Sequence, residues 1–238
     1  MFGERSGMFK ELEHYVYHFQ PQYSLKSGNI KGYESLIRFE NGKRTILPYE
    51  FLNVLEKNRL WPSLWKKMLP LLGDASLSLE GRLAVNVVPH EFEDGSIVKV
   101  VQRCIAEGII SGDRLELEIT EQSNIHQYRE ICKSIDKLNM LDVHVVIDDF
   151  GSGYSGLSRL QNLNIQGIKI DRTHITNIES SDIQQAIVES IISIANVKEC
   201  YVLAEGIETE PELNTLKSLG CQYGQGYLFS KPQPVKVL

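Results

Sequence analysis

Hydrophobic and polar residues alternate with a period of two along several short segments, and this period is typical of β-strands that bury one face. The segments that show it lie at 15–25, 30–39, 83–88, 114–120, 143–150, 167–171 and 201–206. A turn at 26–29 joins the first two segments. Such a short connection predicts an antiparallel hairpin near the start of the chain.

Helical spacing appears between most of the later strands. Apolar residues recur three to four positions apart at 48–57, 64–72, 95–107, 124–138, 181–195 and 210–219, and Leu157, Leu160 and Leu163 share one helical face. Alternating strands and helices predict parallel strands with right-handed crossovers, and about eight strands are enough to close a barrel. We therefore expect an α/β fold of the TIM-type (β/α)8 class, in which the segment 224–229 closes the series.

The composition of the chain mainly excludes classes of protein and kinds of segment. The net charge of -6 argues against a general nucleic-acid binder, which needs a basic surface for phosphate contacts. The N-terminus lacks the continuous apolar core of a signal peptide, and no apolar run is long enough to span a bilayer. The four cysteines are scattered and form no CxxC pair, which favours reduced thiols. We expect one cytoplasmic domain over residues 1–238, because no linker or shift in composition divides the chain.

Polar side chains collect on one face of the predicted strands, towards their C-terminal ends. In the segment 114–120, for example, Glu116 and Glu118 share the face opposite Leu115 and Leu117. In a barrel of this class the C-terminal ends of the strands carry the active site. The residues expected there are Asn86, Glu118, Asp148, Asp149, Lys169 and Glu205, and the hairpin adds Glu34 and Arg38 on a common face.

So many carboxylates in one barrel mouth would repel one another strongly unless cations were bound. All candidate ligands offer oxygen, and no histidine pair has metal-ligand spacing, so Mg²⁺ or Mn²⁺ is favoured over Zn²⁺. The adjacent Asp148 and Asp149 can flank two ions about 3.5–4 Å apart, an arrangement that polarises a phosphoryl oxygen and activates water. Hydrolysis of a phosphoester is the predicted reaction.

Ordinary structural roles compete with these functional ones. Taken alone, Asp148 and Asp149 could cap a helix or form a turn after the strand. Lys169 could be a salt-bridge partner of neighbouring acids. Glu116 lies deeper than Glu118 and is interpreted as a structurally paired carboxylate, and His144 as a satisfied core residue.

Several motifs occur in order over nearly the whole chain: FQPQYSLKSGNIKGYESLIRF, LELEITE, IDDFGSGYSGLSRL, IKIDRTHI, LAEGIETE and GCQYGQGYLFSKPQP. Together they resemble the EAL domains, bacterial phosphodiesterases that linearise cyclic di-GMP to pGpG. The resemblance implies a modified β/α barrel whose first strand runs antiparallel to the rest. It also implies two divalent ions, Mg²⁺ or Mn²⁺, with Ca²⁺ as an inhibiting substitute, and a homodimer.

Carried over residue by residue, the resemblance implies metal ligands at Glu34, Asn86, Glu118, Asp148 and Asp149, with Asp148 shared between two ions. Glu205 resembles the residue that ligates or activates the attacking water, and Lys169 the group that positions that water or steadies the developing charge. Arg38 would grip a phosphate, and the nucleotide pocket would be lined by Gln20, Leu36, Asp171, Glu208 and Gln225. Glu121 resembles the residue that anchors the loop after Asp149.

Two departures from the family pattern stand out. The signature reads Glu34-Ser35-Leu36, with serine in place of alanine, and the loop carries Ser152 and Gly156 where threonine and serine are usual. Ser35 should point away from the mouth, and we expect it to be tolerated if its hydroxyl finds one backbone acceptor. The alternative function is a weak or inactive EAL protein that acts as a cyclic di-GMP receptor or as a protein-binding regulator.

Overall fold

The hairpin predicted at the start of the chain forms strands β1 (Tyr15–Ser24) and β2 (Ile30–Glu40), which pair antiparallel. The structure is a computed structural model, and it describes residues 15–40, 45–46, 61–120, 128–151 and 160–238. The connecting turn contains Gly28 at φ +76°, a left-handed conformation that glycine adopts without strain. The chain therefore enters the barrel through an antiparallel pair.

Seven further strands follow. They are β3 (Thr45–Ile46), β4 (Arg82–Val87), β5 (Leu115–Thr120), β6 (His144–Phe150), β7 (Gly167–Ile170), β8 (Tyr201–Ala204) and β9 (Tyr223–Gly224). Strand β1 pairs with both β2 and β9, so eight strands close into a ring, and β3 extends β2. Only β1 runs antiparallel to its ring neighbours, and every other pair in the ring is parallel. The modified TIM-type barrel is confirmed.

Helices separate the parallel strands. They are α1 (Trp61–Ser76), α2 (Pro89–Glu93), α3 (Ser96–Ala106), α4 (Tyr128–Asn139), α5 (Asp182–Val197) and α6 (Glu210–Ser218), with 3-10 turns at Gly112–Arg114, Arg172–His174, Ile178–Ser180 and Val235–Val237. Helix α6 begins with a capping box formed by Thr209 and Glu212. No helix in the described ranges is both long enough and apolar enough to cross a membrane.

Most predicted elements match these bounds within a few residues. The predicted helix at 48–57, the start of the one at 124–138 and Leu157 lie outside the described residues. The short helix α2 was not predicted. The closing segment is extended only at Tyr223–Gly224 and turns at residues 226–229.

The core lies between the barrel and the helices. In β5, Leu115, Leu117 and Ile119 are buried, and α4 packs on β6 through a buried stripe that includes Ile131 and Ile135. Burial of each such side chain contributes about 2 kcal/mol. The opposite face of the strands is left to line the lumen, where Glu116 and Glu118 are also buried.

Two bulges interrupt the regular pairing. In β2, Gln22 pairs with Gly32 and Tyr23 with Ile30, so Lys31 is an extra residue. In β6, the register shifts by one residue between Ile147 and Phe150, and Asp149 has φ +54°. A bulge re-aims the side chain that it carries, so both residues can leave the face that strict alternation assigns to them.

Candidate metal centre

The buried ammonium of Lys169, on β7, is surrounded by carboxylates from four other elements. Its Nζ lies 2.7 Å from Glu205, 2.8 Å from Glu118, 3.0 Å from Asp148 and 3.8 Å from Glu34. We call these five residues the mouth cluster. Each was predicted at the mouth from the alternation of polar positions, and the structure brings them together.

Charge in the mouth cluster is unbalanced, with four acids around one base. Burial lowers the pKa of Lys169, but the four carboxylates outweigh it and hold that pKa well above its usual value. Burial, together with Glu34 and Asp148, raises the pKa of Glu118 well above its usual value despite the attraction of Lys169. Burial also raises the pKa of Glu205. The cluster therefore favours any added positive charge.

Two amides orient Glu34. Asn86, on β4, donates from Nδ2 to Oε1 of Glu34 at 3.1 Å, and Gln225 donates from Nε2 to Oε2 at 2.6 Å. The same Gln225 amide donates to Glu205 at 3.0 Å. Gln225 was predicted to line the nucleotide pocket, and the structure places its amide between two acids of the mouth cluster.

The bulge in β6 brings the second aspartate to the same edge. Ligand atoms of Asp148, Asp149 and Glu205 all lie within 4.8 Å of one another. Burial, with Asp148 and Asp171 as further causes, raises the pKa of Asp149 to about 6. In a regular strand, neighbouring residues face opposite ways, so the left-handed φ of Asp149 is what lets both acids converge.

The donor set fits a divalent cation bound by oxygen. Apart from Lys169, no donor in the described part of the chain reaches either carboxylate oxygen of Glu118 or Oδ1 of Asp148, and all three atoms are buried. A buried acceptor without a partner is costly, and a cation would satisfy it. Carboxylate and amide oxygens suit Mg²⁺, Mn²⁺ or Ca²⁺. Glu34, Asn86, Glu118, Asp148, Asp149 and Glu205 could supply the ligands.

Other predicted binding residues surround the mouth cluster. Arg38 lies on the same face of β2 as Glu34, and its Nη1 donates to the Ile37 carbonyl at 2.9 Å. Gln20 is paired opposite Glu34 in the hairpin, is buried, and donates to the Ser230 carbonyl at 3.1 Å. Leu36 is half-buried and Glu208 is exposed after β8. Glu121 lies outside the described residues.

A second charged cluster occupies the other end of the lumen. Nζ of Lys31 lies 3.0 and 3.1 Å from the two oxygens of Glu116 and donates to the Tyr201 hydroxyl at 2.6 Å. Nδ1 of His144 lies 3.8 Å from Glu116. We call Lys31, Glu116, His144 and Tyr201 the floor cluster. The interpretation of Glu116 as a structurally paired carboxylate is confirmed.

The expectation for Ser35 was only half right. Ser35 is buried and borders the same cavity as Trp65 and Met68 of α1, so it points away from the mouth as predicted. Its hydroxyl, however, finds no hydrogen-bond partner among the described residues, because the residues around it on this side of the barrel are largely apolar. The expectation of a backbone acceptor for Ser35 was therefore wrong. A buried hydroxyl without a partner costs about 1–3 kcal/mol of stability.

Sequence reasoning missed Lys31 as the partner of Glu116 and the imidazole of His174, which lies 2.9 Å from the Gly151 carbonyl. Lys31 has the opposite parity to Glu34 along β2, and only the bulge turns it inward. The motif IKIDRTHI offered a signal for His174, because this histidine follows the end of a strand that carries two charged residues.

Comparison with known proteins agrees with this geometry. The sequence model of the EAL domain matches residues 6–232. A cyclic di-GMP phosphodiesterase of Pseudomonas aeruginosa, NbdA, is 32% identical over 228 residues, which are 93% of this chain and 29% of that protein. The chain spans less than a third of the length of NbdA and of two other curated relatives that it matches.

Solved structures share the fold. The phosphodiesterase PaMucR in complex with c-di-GMP superposes with a TM-score of 0.85 at 29% identity, covering 94% of this chain and 98% of that one. Klebsiella pneumoniae BlrP1, in a calcium and cyclic di-GMP complex, gives a TM-score of 0.82 at 28% identity, covering 93% of this chain and 56% of that one.

Proposed function

Because the chain belongs to the EAL domain family, we propose that it is a divalent-metal-dependent phosphodiesterase that hydrolyses cyclic di-GMP to linear pGpG. The observation that carries the proposal is the mouth cluster, in which four carboxylates, three of them buried, share a single ammonium. A receptor that only bound nucleotide would not need this excess of acid. A hydrolase that assembles cations around a phosphodiester does.

The proposed ligands of one ion are Glu34, Asn86, Glu118 and Asp148, and Asp149 joins Asp148 at a second. When bound, Mg²⁺ or Mn²⁺ would supply Lewis acidity that polarises the phosphodiester and lowers the pKa of the attacking water. Ca²⁺ is larger and holds its ligands more loosely, so we expect it to bind without supporting turnover.

The side chains of the mouth act on the substrate in distinct ways. Glu205 accepts the proton of the attacking water, since it combines a raised pKa with a position 2.7 Å from Lys169. Lys169 steadies the negative charge that develops on the phosphoryl group. Arg38 grips a phosphate, and its guanidinium is paired with no described carboxylate. Gln20, Leu36, Asp171 and Glu208 line the nucleotide pocket, with Gln225 bracing Glu34 and Glu205.

The decisive experiment uses the purified protein with Mg²⁺ or Mn²⁺ and follows the conversion of cyclic di-GMP to pGpG by chromatography. We expect turnover, and we expect Glu34→Ala to abolish it while Glu107→Ala, a change of an exposed glutamate on α3's C-terminal side, has no effect. Cyclic di-GMP binding without hydrolysis by the unmodified protein would identify it as a receptor instead. Unchanged cellular effects of Glu34→Ala would identify it as a protein-binding regulator.

Three wider expectations stay predictions. They are a cytoplasmic location, a homodimer formed near the loop after Asp149, and the organisation of residues 1–238 as one domain. Light scattering of the purified chain measures the dimer directly.

A further inference from the structure

The 3-10 turn after β7 holds the end of β6 at three points. The N–H of Asp171 donates to the Phe150 carbonyl at 3.4 Å, and the carboxyl of Asp171 neighbours that of Asp149. The third contact joins Nε2 of His174 to the Gly151 carbonyl at 2.9 Å. The turn therefore contacts three consecutive residues, Asp149 to Gly151, at the end of β6.

The chemistry of the third contact fixes the proton on His174. A carbonyl oxygen only accepts hydrogen bonds, so Nε2 must carry a proton and donate it. Both the neutral Nε2–H tautomer and the imidazolium supply this donor. The contact consequently persists whether or not the ring is charged.

The fit between the ring and Gly151 is close. A Cβ added to Gly151 would lie 2.7 Å from Nε2 and 2.9 Å from Cδ2 of His174, so nothing larger than glycine can lie under the ring. Gly151 has φ +95° and Asp149 has φ +54°. L-residues resist this left-handed conformation, and it persists where the surroundings hold it in place.

The turn itself is anchored from the other side. Gln184 of α5 donates from Nε2 to the carbonyls of Thr173 and Thr176, at 2.9 and 3.2 Å. The carboxylate of Asp171 accepts from the Thr173 N–H at 2.9 Å. The turn that carries His174 is therefore fixed by α5. Because the turn is fixed, the contact from His174 restrains the bulge of β6.

We propose that His174 is a positioning residue for Asp149: through the Gly151 carbonyl it holds the β6 bulge in the conformation that turns the Asp149 carboxyl towards Asp148 and Glu205. The inference rests on the proposed function, in which Asp149 helps to bind the second divalent ion. In this assignment His174 acts through the Gly151 carbonyl and not as a ligand. Residues that orient metal ligands in this way affect metal affinity by about 10–100-fold.

The test is a calorimetric titration of Mn²⁺ into the wild-type protein, His174→Phe and His174→Gln. We expect two sites in the wild type, with one of them weakened about tenfold in His174→Phe and the other unchanged. The amide of His174→Gln reaches far enough to donate to the same carbonyl, so its affinities should lie closer to those of the wild type. In activity assays, the Mn²⁺ concentration for half-maximal rate should rise in His174→Phe while KM for cyclic di-GMP stays the same.

Two controls keep the result specific. His90→Phe changes a half-buried histidine on α2 and should leave both Mn²⁺ sites intact. If His174→Phe does not fold, the comparison of His174→Gln with the shorter His174→Asn decides, because only the longer amide reaches the carbonyl.

Equal Mn²⁺ affinities in the wild type and His174→Phe would overturn the inference, as would an equal loss in His90→Phe or in His174→Gln. A wild-type protein that hydrolyses cyclic di-GMP while His174→Phe binds both ions normally refutes only the role of His174. A wild-type protein that neither binds Mn²⁺ nor hydrolyses cyclic di-GMP refutes the proposed function and this inference with it.

Discussion

Two lysines face the lumen of the same barrel, Lys169 buried and Lys31 half-buried, and their surroundings differ. Lys31, in the floor cluster, faces one carboxylate, Glu116, and also donates to the Tyr201 hydroxyl. Lys169, in the mouth cluster, lies within 3.8 Å of four carboxylates. The floor pairs one carboxylate with one ammonium, whereas the mouth places four carboxyl groups around one ammonium.

The glutamates of β5 report the same contrast two residues apart. Burial would raise the pKa of Glu116, but Lys31, with His144 and Tyr201 close by, lowers it to about 2. The pKa of Glu118 is raised well above its usual value by burial and by neighbouring acids. Residue type, strand and burial are shared, so the difference comes from the neighbours of each carboxylate. The Lys31–Glu116 pair of the floor cluster stabilises the fold. The mouth cluster, with more acids than bases, is suited to bind cations.

The largest expected effect follows from neutralising Glu118. Glu118→Gln should lower kcat/KM for cyclic di-GMP by roughly a thousandfold, the upper range for loss of one preorganised electrostatic group. Its stability should change little, because the lost attraction to Lys169 is offset by relief of repulsion from Glu34 and Asp148. Steady-state kinetics and urea unfolding measure the two quantities. The matched variant Glu116→Gln should keep most of its activity, and equal losses in both variants would remove the distinction between mouth and floor.

The next effect is on folding, and it belongs to the floor. Glu116→Gln leaves Lys31 without a carboxylate in a buried site, which should lower the free energy of unfolding by about 3 kcal/mol. Urea denaturation of the metal-free protein measures it. Glu130→Gln serves as the control, because the Glu130–Lys133 pair is exposed and contributes less than about 1 kcal/mol. A Glu116→Gln variant as stable as this control would contradict the structural role of the floor cluster.

How far the sequence predicts this comparison depends on strand regularity. Alternation places Glu34, Glu118 and Lys169 in the lumen correctly, because β2, β5 and β7 are regular at those positions. Alternation alone assigns Lys31 to the wrong face, because Lys31 lies at the bulge of β2. Asp149 was expected at the mouth because it lies at the end of a strand, and it reaches that position through the bulge of β6. The sequence also does not predict side-chain contacts such as that of Gln225 with Glu205, because these residues follow different strands. Period-two alternation therefore predicts the barrel and most of the acids, but not the inward position of Lys31 or the bulge that carries Asp149.

A third effect separates the clusters by their response to metal. Addition of Mg²⁺ at a hundredfold excess over its dissociation constant should stabilise the wild type by about 2.7 kcal/mol and raise Tm by about 5 °C. Glu116→Gln should show the same rise, since the carboxylate of the floor cluster already has a cationic partner in Lys31. Glu118→Gln should show much less. Differential scanning calorimetry with and without chelator gives the values, and a full rise in Glu118→Gln would exclude Glu118 as a ligand.

The smallest effect concerns acid pH, and the floor determines it. The folded-state pKa of Glu116, about 2, is lower than its ordinary value of 4.5, so the folded protein releases this proton more readily than the unfolded chain does. The stabilisation is therefore complete well above pH 4.5 and is lost as pH falls towards 2. Between pH 6 and pH 4 the difference in unfolding free energy between the wild type and Glu116→Gln should shrink by about 1 kcal/mol. Using this difference cancels the titration of the other carboxylates. Urea titrations of both metal-free proteins at the two pH values measure it, and a difference that grew on acidification would mean that Lys31 does not hold Glu116 ionised.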